Sequence, residues 1–220
     1  MTGKRCYKQY CGLAKALDVI GERWTLLILR DLMLGPWRYS DLLERMPGIT
    51  TNMLATRLKE MEQQGLIVKV EETSLGSSHR YELSELGKQL EPAMLSLSRF
   101  GFNFMDKPPG EDEAVDPGRA LLNLKNRYQG KAKGLITFKI RNEFADNVEE
   151  TYQVSFSSDG VEIQHGQPLL PDTIVELGLK TYSAVVFRGA SVQNLEEEKK
   201  IKITGSRVNW EKFKQVFGLS

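Results

Sequence analysis

The chain has 220 residues, 27% of them charged and 40% hydrophobic, with 30 Lys and Arg against 29 Asp and Glu. This length and composition suit one large or two modest folded domains and argue against disorder. Residues 1–105 hold 14 cations against 12 acids and the remainder 16 against 17, so no strongly basic footprint exists and any nucleic-acid binding must rest on a local patch and a motif.

The longest apolar run near the start, WTLLIL, is far short of the roughly 20 residues that span a bilayer, and neither end carries a secretory core. A cytoplasmic chain without a membrane partner is expected. The two cysteines, Cys6 and Cys11, lie five positions apart without zinc-type Cys/His spacing. A disulfide scaffold and a structural metal are therefore not expected, and any cysteine role is reactive or merely structural; no cofactor is expected either.

In chain order, the first stretch is CGLAKALDVIGERW, residues 11–24. Leu13, Leu17, Ile20 and Trp24 recur at spacings of three and four, which predicts one helical register buried in the core of the first domain. Cys11 stands at the mouth of this helix, where free amide N–H groups and the macrodipole favour a thiolate, and Arg5, Lys8 and Lys15 are near in sequence. An accessible thiolate there can be oxidised to a sulfenic acid and then to a disulfide, with Cys6 of either subunit as the resolving partner. The other reading is a small apolar side chain filling a gap under the helix.

Between Tyr39 and Leu66 come a helix (SDLLERM), a tight break at Pro47-Gly48, a cap at Thr50 or Thr51 and a second helix ending at Gln64-Gly65. This order is helix, turn, helix. Projecting the second helix with Leu54 at the centre of its buried face sets Leu58 and Met61 beside it and Asn52, Thr56, Lys59 and Gln63 opposite. Thr51, Asn52 and Thr56 are short enough to bond base edges, while Arg57 and Lys59 reach bases or phosphates. The next segment, VKVEETSLGSSHRYEL, is two period-two runs around a Gly/Ser tip and reads as a wing, with His79 and Arg80 placed over the DNA backbone or minor groove. A small helical domain with a merely solvated polar face is the alternative, and the hairpin shifts the weight toward DNA.

Residues 88–105 carry an apolar stripe of Leu90, Met94, Leu97, Gly101 and Phe104, widened by Ala93, Leu95, Phe100 and Phe102 beyond what one core covers. A partner surface is expected, either a second copy or the downstream domain. A two-fold pair would set two recognition helices about one DNA turn, roughly 34 Å, apart and so predicts a palindromic site.

Residues 11–95 resemble the HxlR family of bacterial winged-helix regulators, in CGLAKALDVIGERWTLLILRDL, WRYSDLLERMPGIT, LATRLKEMEQQGLI and RYELSELGKQL. The resemblance implies a homodimer acting on inverted-repeat operators in double-stranded DNA, with Asn52, Thr56 and Arg57 as recognition-helix contacts. It also implies, as in some family members, a sensing cysteine at the place of Cys11. The wing tip ETSLGSSHR lacks the prolines usual there, and SRFGFNF stands where a tryptophan is common.

The break DKPPGEDEAVDPG, residues 106–118, holds three prolines, two glycines and five acids. It predicts a linker over 106–116 between a domain at 1–105 and another at 117–220. The second reads as helix (ALLNLKNRY), strand (Ile136, Phe138, Ile140), a hairpin (Tyr152, Val154, Phe156, then Val161 and Ile163 beyond Asp159-Gly160), strand (TIVEL), helix (181–189), strand (KKIKITG) and helix (WEKFKQVFG), with EEEKK at 196–200 as a solvated edge. The fold class is thus α+β, a winged helix-turn-helix followed by an antiparallel-rich sheet with packed helices. The second domain resembles the sterol-carrier-protein-like fold in G-V-E-I, PDTIVEL and KIKITG before a terminal helix, which implies either a hydrophobic small-molecule ligand, lipid or acyl, held between sheet and helices, or a module that only dimerises or serves as an accessory. Phe138, Val154, Phe156, Val175, Tyr182, Val185 and Phe187 either line such a pocket or pack as a domain core.

The leading expectation is a homodimeric transcription regulator modulated by a hydrophobic ligand or by thiol oxidation. The other is a lipid or acyl carrier that uses its winged helix for protein contact. An enzyme is not expected: the only histidines, His79 and His165, fall in separate domains, without a nucleophile elbow or a metal-ligand cluster.

Overall fold

The computed structural model describes residues 6–71, 79–105, 107, 109–110, 113–130, 132–166, 168 and 171–219. The chain divides into two units, Met1–Leu97 and Ser98–Ser220.

The first unit runs α1 (Gly12–Ile20), α2 (Thr25–Leu32), β1 (Trp37–Arg38), α3 (Tyr39–Arg45), α4 (Thr51–Gln63), β2 (Ile67–Glu71), β3 (His79–Leu83), α5 (Glu85–Lys88) and α6 (Glu91–Gly101), the last reaching past Leu97. Its sheet is antiparallel in the order β1-β3-β2, with Ile67 opposite Leu83 and Trp37 opposite Tyr81. The wing is therefore a hairpin between β2 and β3, and its expected Gly/Ser tip, 72–78, lies outside the described residues. Ile28, Leu29, Leu42, Leu54, Leu58, Met61 and Ile67 form the apolar interior.

A charged group sits in that interior. The Asp31 side chain is fully buried; its Oδ1 accepts from Arg30 Nε at 2.9 Å and its Oδ2 lies 3.5 Å from Arg45 Nε. The Arg45 guanidinium stacks 4.3 Å over the Trp37 ring, whose Nε1 donates to the Asp31 carbonyl at 2.9 Å. One acid thus joins α2, β1 and α3.

The single register expected from Leu13 to Trp24 is corrected. Helix α1 stops at Ile20, Leu13 and Leu17 are exposed, and Ala14 is the residue of α1 that is buried. Trp24 takes a left-handed conformation, φ 80°, which ends one helix and starts another at Thr25.

The second unit takes up the end of α6 and a short 3-10 turn at Phe102–Phe104. It then runs α7 (Pro117–Leu121), α8 (Leu124–Arg127), β4 (Gly134–Arg141), β5 (Glu149–Ser157), β6 (Gly160–His165), β7 (Thr173–Gly178), α9 (Leu179–Arg188), α10 (Val192–Glu197), β8 (Ile201–Gly205) and α11 (Arg207–Phe217). The sheet order is β6-β5-β4-β7-β8, antiparallel except for the parallel pair β4 and β7. Alternation in β5 buries Tyr152, Val154 and Phe156 on one face, and α9 and α11 pack on the sheet. Gly160, at φ 128°, closes the β5–β6 turn in a region that favours glycine.

Two expectations are corrected here. ALLNLKNRY is two short helices, α7 capped by the Asp116 side chain and α8 starting at Leu124. EEEKK is not only a solvated edge, because Glu196 belongs to α10 and accepts from Trp210 Nε1 at 2.7 Å and from Arg207. Burial pushes the Glu196 carboxyl up, but these donors outweigh it and hold it below the ordinary carboxylate range. Arg127 closes two helix ends together, donating to the carbonyls of Val186, Phe217 and Gly218 at 2.7, 3.2 and 3.1 Å.

Candidate nucleic-acid interface

Thr50, not Thr51, caps α4: its side chain accepts from Met53 N at 3.3 Å. From that start, Leu54, Leu58 and Met61 are 0%, 1% and 2% exposed, while Thr51, Asn52, Thr56, Lys59 and Gln63 are all exposed. The 13-residue helix therefore presents one closed apolar face and one open polar face about 20 Å long. The Thr56 hydroxyl donates to the Asn52 carbonyl at 2.8 Å, which leaves its oxygen outward as an acceptor. Tyr39, at the start of α3, donates its hydroxyl to the Thr51 carbonyl at 2.7 Å and ties the two helices of the motif at the open end. Sequence reading missed this tie, which no spacing rule signals.

Arg57 stands apart from that open face. Its side chain is 18% exposed, with Nη1 2.5 Å from Glu60 and Nη2 3.7 Å from Glu22. Glu60 is readable as an i,i+3 partner; Glu22 is not.

On the wing, consecutive residues alternate across β3, so His79 and Arg80 point to opposite faces. His79 lies on the Tyr81 side, its Nε2 3.4 Å from the Tyr81 hydroxyl and the rings edge to face at 5.4 Å. Arg80 stands across from Arg38 on β1.

Cys11 and Cys6 are both exposed and unbridged. Cys11 occupies the position before α1 in extended conformation. The amides of Ala14 and Leu13 face its sulfur and hold the thiol below the ordinary range, although neither approach closes into a full cap hydrogen bond. The Cys6 thiol donates to Asp18 Oδ2 at 3.2 Å, and Asp18 Oδ1 accepts from Tyr7 N at 2.9 Å, which pins the N-terminal arm alongside α1.

Of the expected ligand-lining residues, Phe138, Val154, Phe156, Val175, Tyr182 and Val185 are buried and Phe187 is 46% exposed. The Phe138 ring lies 5.4 Å from Phe213 and 6.5 Å from Tyr182, and Phe156 lies 5.8 Å from Phe213 and 5.7 Å from Phe217. Ring-to-ring packing with α11 accounts for these buried aromatic positions. Burial drives the Tyr182 hydroxyl far above its ordinary range. Among the described residues no group of three or more His, Cys, Asp or Glu is placed to hold a metal ion, and no helix is long and apolar enough to cross a membrane.

Known proteins match the first part of the chain. Residues 19–109 match the family described as HxlR-like helix-turn-helix. An uncharacterised HTH-type transcriptional regulator of Bacillus subtilis, YkvN, is 35% identical over 109 residues, covering 49% of this chain and 92% of that protein. A Mycobacterium bovis protein of the same description is 36% identical over 98 residues, covering 44% of this chain, which spans only 61% of that relative's length. The crystal structure of the putative HTH-type regulator ytcD, 35% identical, covers 44% of this chain and 99% of its own, with a TM-score of 0.41.

Proposed function

Since the chain belongs to the HxlR-like helix-turn-helix family, whose relatives are described as transcriptional regulators, we propose that it is a homodimeric regulator that reads an inverted-repeat operator with α4. The observation that carries this reading is the open polar face of α4, where Thr51, Asn52, Thr56 and Lys59 stand exposed opposite fully buried Leu54 and Leu58. Short polar side chains on such a face suit base edges in a major groove about 12 Å wide, and Lys59 suits a phosphate. Pairing of two copies is supported by unpartnered apolar surface: Tyr10, Leu13, Leu97, Phe100 and Phe104 are exposed, and α6 has no buried residue.

Triple substitution Asn52→Ala, Thr56→Ala and Lys59→Ala tests the reading, with binding to duplex DNA followed by fluorescence anisotropy across salt. Affinity should fall at least tenfold, and the slope of log affinity against log salt should flatten by about 0.9 for the one phosphate that Lys59 no longer neutralises. Unchanged affinity and slope overturn it.

Thiol chemistry at Cys11 is the route of modulation we favour, because that sulfur is exposed and held toward its thiolate form. The hydrophobic-ligand route has less support, since the aromatic residues that would line a pocket pack on one another. The sterol-carrier likeness of the second unit then describes a scaffold. In a Cys6→Ser variant, Cys11 should react with a thiol-directed label with a midpoint pH below the roughly 8.5 of an ordinary cysteine. A midpoint at or above that value would sink the thiol route.

A further inference from the structure

Four residues, Gly21, Glu22, Arg23 and Trp24, join α1 to α2, and their geometry is costly. A Cβ on Gly21 would lie 2.5 Å from the Leu17 carbonyl oxygen, and Trp24 holds φ 80°, a left-handed conformation that strains any bulky L-residue. Such strain persists only where surrounding contacts hold it. The Arg23 guanidinium covers the Trp24 ring at 5.1 Å. The ring edge reaches the turn between α3 and α4, where a Cβ on Gly48 would lie 3.7 Å from Trp24 Cη2. One residue earlier in the chain than Arg23, Glu22 faces Arg57 of α4 at 3.7 Å. The same short turn therefore reaches α4 through Glu22 and lies beside the bend that leads into it.

We infer that the α1–α2 turn positions the recognition helix, Trp24 through the Gly48 bend and Glu22 through Arg57, so that Arg57 is a positioning residue and not a DNA contact. This rests on the DNA-binding reading above. With Glu60 of its own helix holding Nη1 and Glu22 of the turn facing Nη2, and with its side chain 18% exposed, Arg57 ties the rotation of α4 about its axis to the turn through Glu22. Rotation decides which side chains meet base edges, so the turn governs sequence preference while leaving phosphate binding alone. It also gives α1 a mechanical path to the DNA-reading face.

The test begins with an operator selected by the wild-type full-length protein from a random duplex library; if nothing is selected over bulk DNA, both the DNA reading and this inference fall. With an operator in hand, Glu22→Gln and Arg57→Gln should each lower the preference for it over random duplex by roughly fivefold or more at unchanged salt slope. The double variant should do no worse than Arg57→Gln alone, because that change already removes the link to Glu22. Arg57→Lys, which keeps the ion pair, should restore the preference. The inference is overturned if Arg57→Gln flattens the salt slope by about 0.9, the mark of one phosphate fewer neutralised, or if Glu22→Gln leaves the preference as it was.

Discussion

Replacing Asp31 by alanine is expected to cost the first unit about 3–5 kcal/mol, the range for removing one partner of a buried ion pair. The carboxylate is wholly buried between Arg30 and Arg45, and the Arg45 side chain is itself 11% exposed. Without the acid, Arg45 loses the carboxylate 3.5 Å from its Nε, and the desolvation that this pair had offset is no longer compensated by it. A domain is stable by only about 5–15 kcal/mol, so the loss is a large fraction of the whole. Urea unfolding followed by Trp24 and Trp37 fluorescence, in a Trp210→Phe background that silences the second unit, measures it. A loss under about 1 kcal/mol would show that Asp31 is not a keystone of this core. Asp31→Asn should lie close to alanine, because the charge and not the shape is what Arg45 requires.

The second large effect falls on the other unit. Phe213 is 1% exposed and its ring meets Phe138, Phe156, Trp210 and Phe217, stacking on Trp210 at an interplanar angle of 13°. Phe213→Ala should cost about 3–5 kcal/mol by the usual toll of deleting a core aromatic ring. The void it leaves would be apolar and dry, and such a void takes up small apolar molecules. The variant should therefore regain stability when benzene is added, and the wild type should not respond. If wild-type protein is itself stabilised by benzene, the sheet and helices enclose open space and the hydrophobic-ligand route returns.

How far the sequence alone reaches is clearest by comparing α4 with α1. In α4 the 3.6-residue period is unbroken from Leu54 to Met61, and the buried and open faces fall where the projection sets them. The same rule misled at Leu13, Leu17, Ile20 and Trp24, because GERW contains no proline and a lone glycine is tolerated inside a helix. The break falls at Trp24, whose φ of 80° no residue spacing signals. The strands were legible since Ile136, Phe138 and Ile140 alternate with Thr137 and Lys139, and Gly160 marks the hairpin turn. The core of the second unit was not distinguishable from a pocket, because Phe138 and Phe156 would be apolar in either. Asp31 gave no signal at all: an acid within an apolar helical run reads as solvent-facing until Arg45, fourteen positions on, is brought to it.

Helix α6 has 11 residues and not one of them is buried. Helices shorter than about 12–15 residues are marginal in water on propensity alone, and most helical stability in proteins comes from packing. The order of this segment is therefore borrowed from whatever covers Leu97, Phe100 and Phe104. On the proposal that a second copy covers this stretch, its folding and assembly form one equilibrium, and dilution is expected to melt it as heat does.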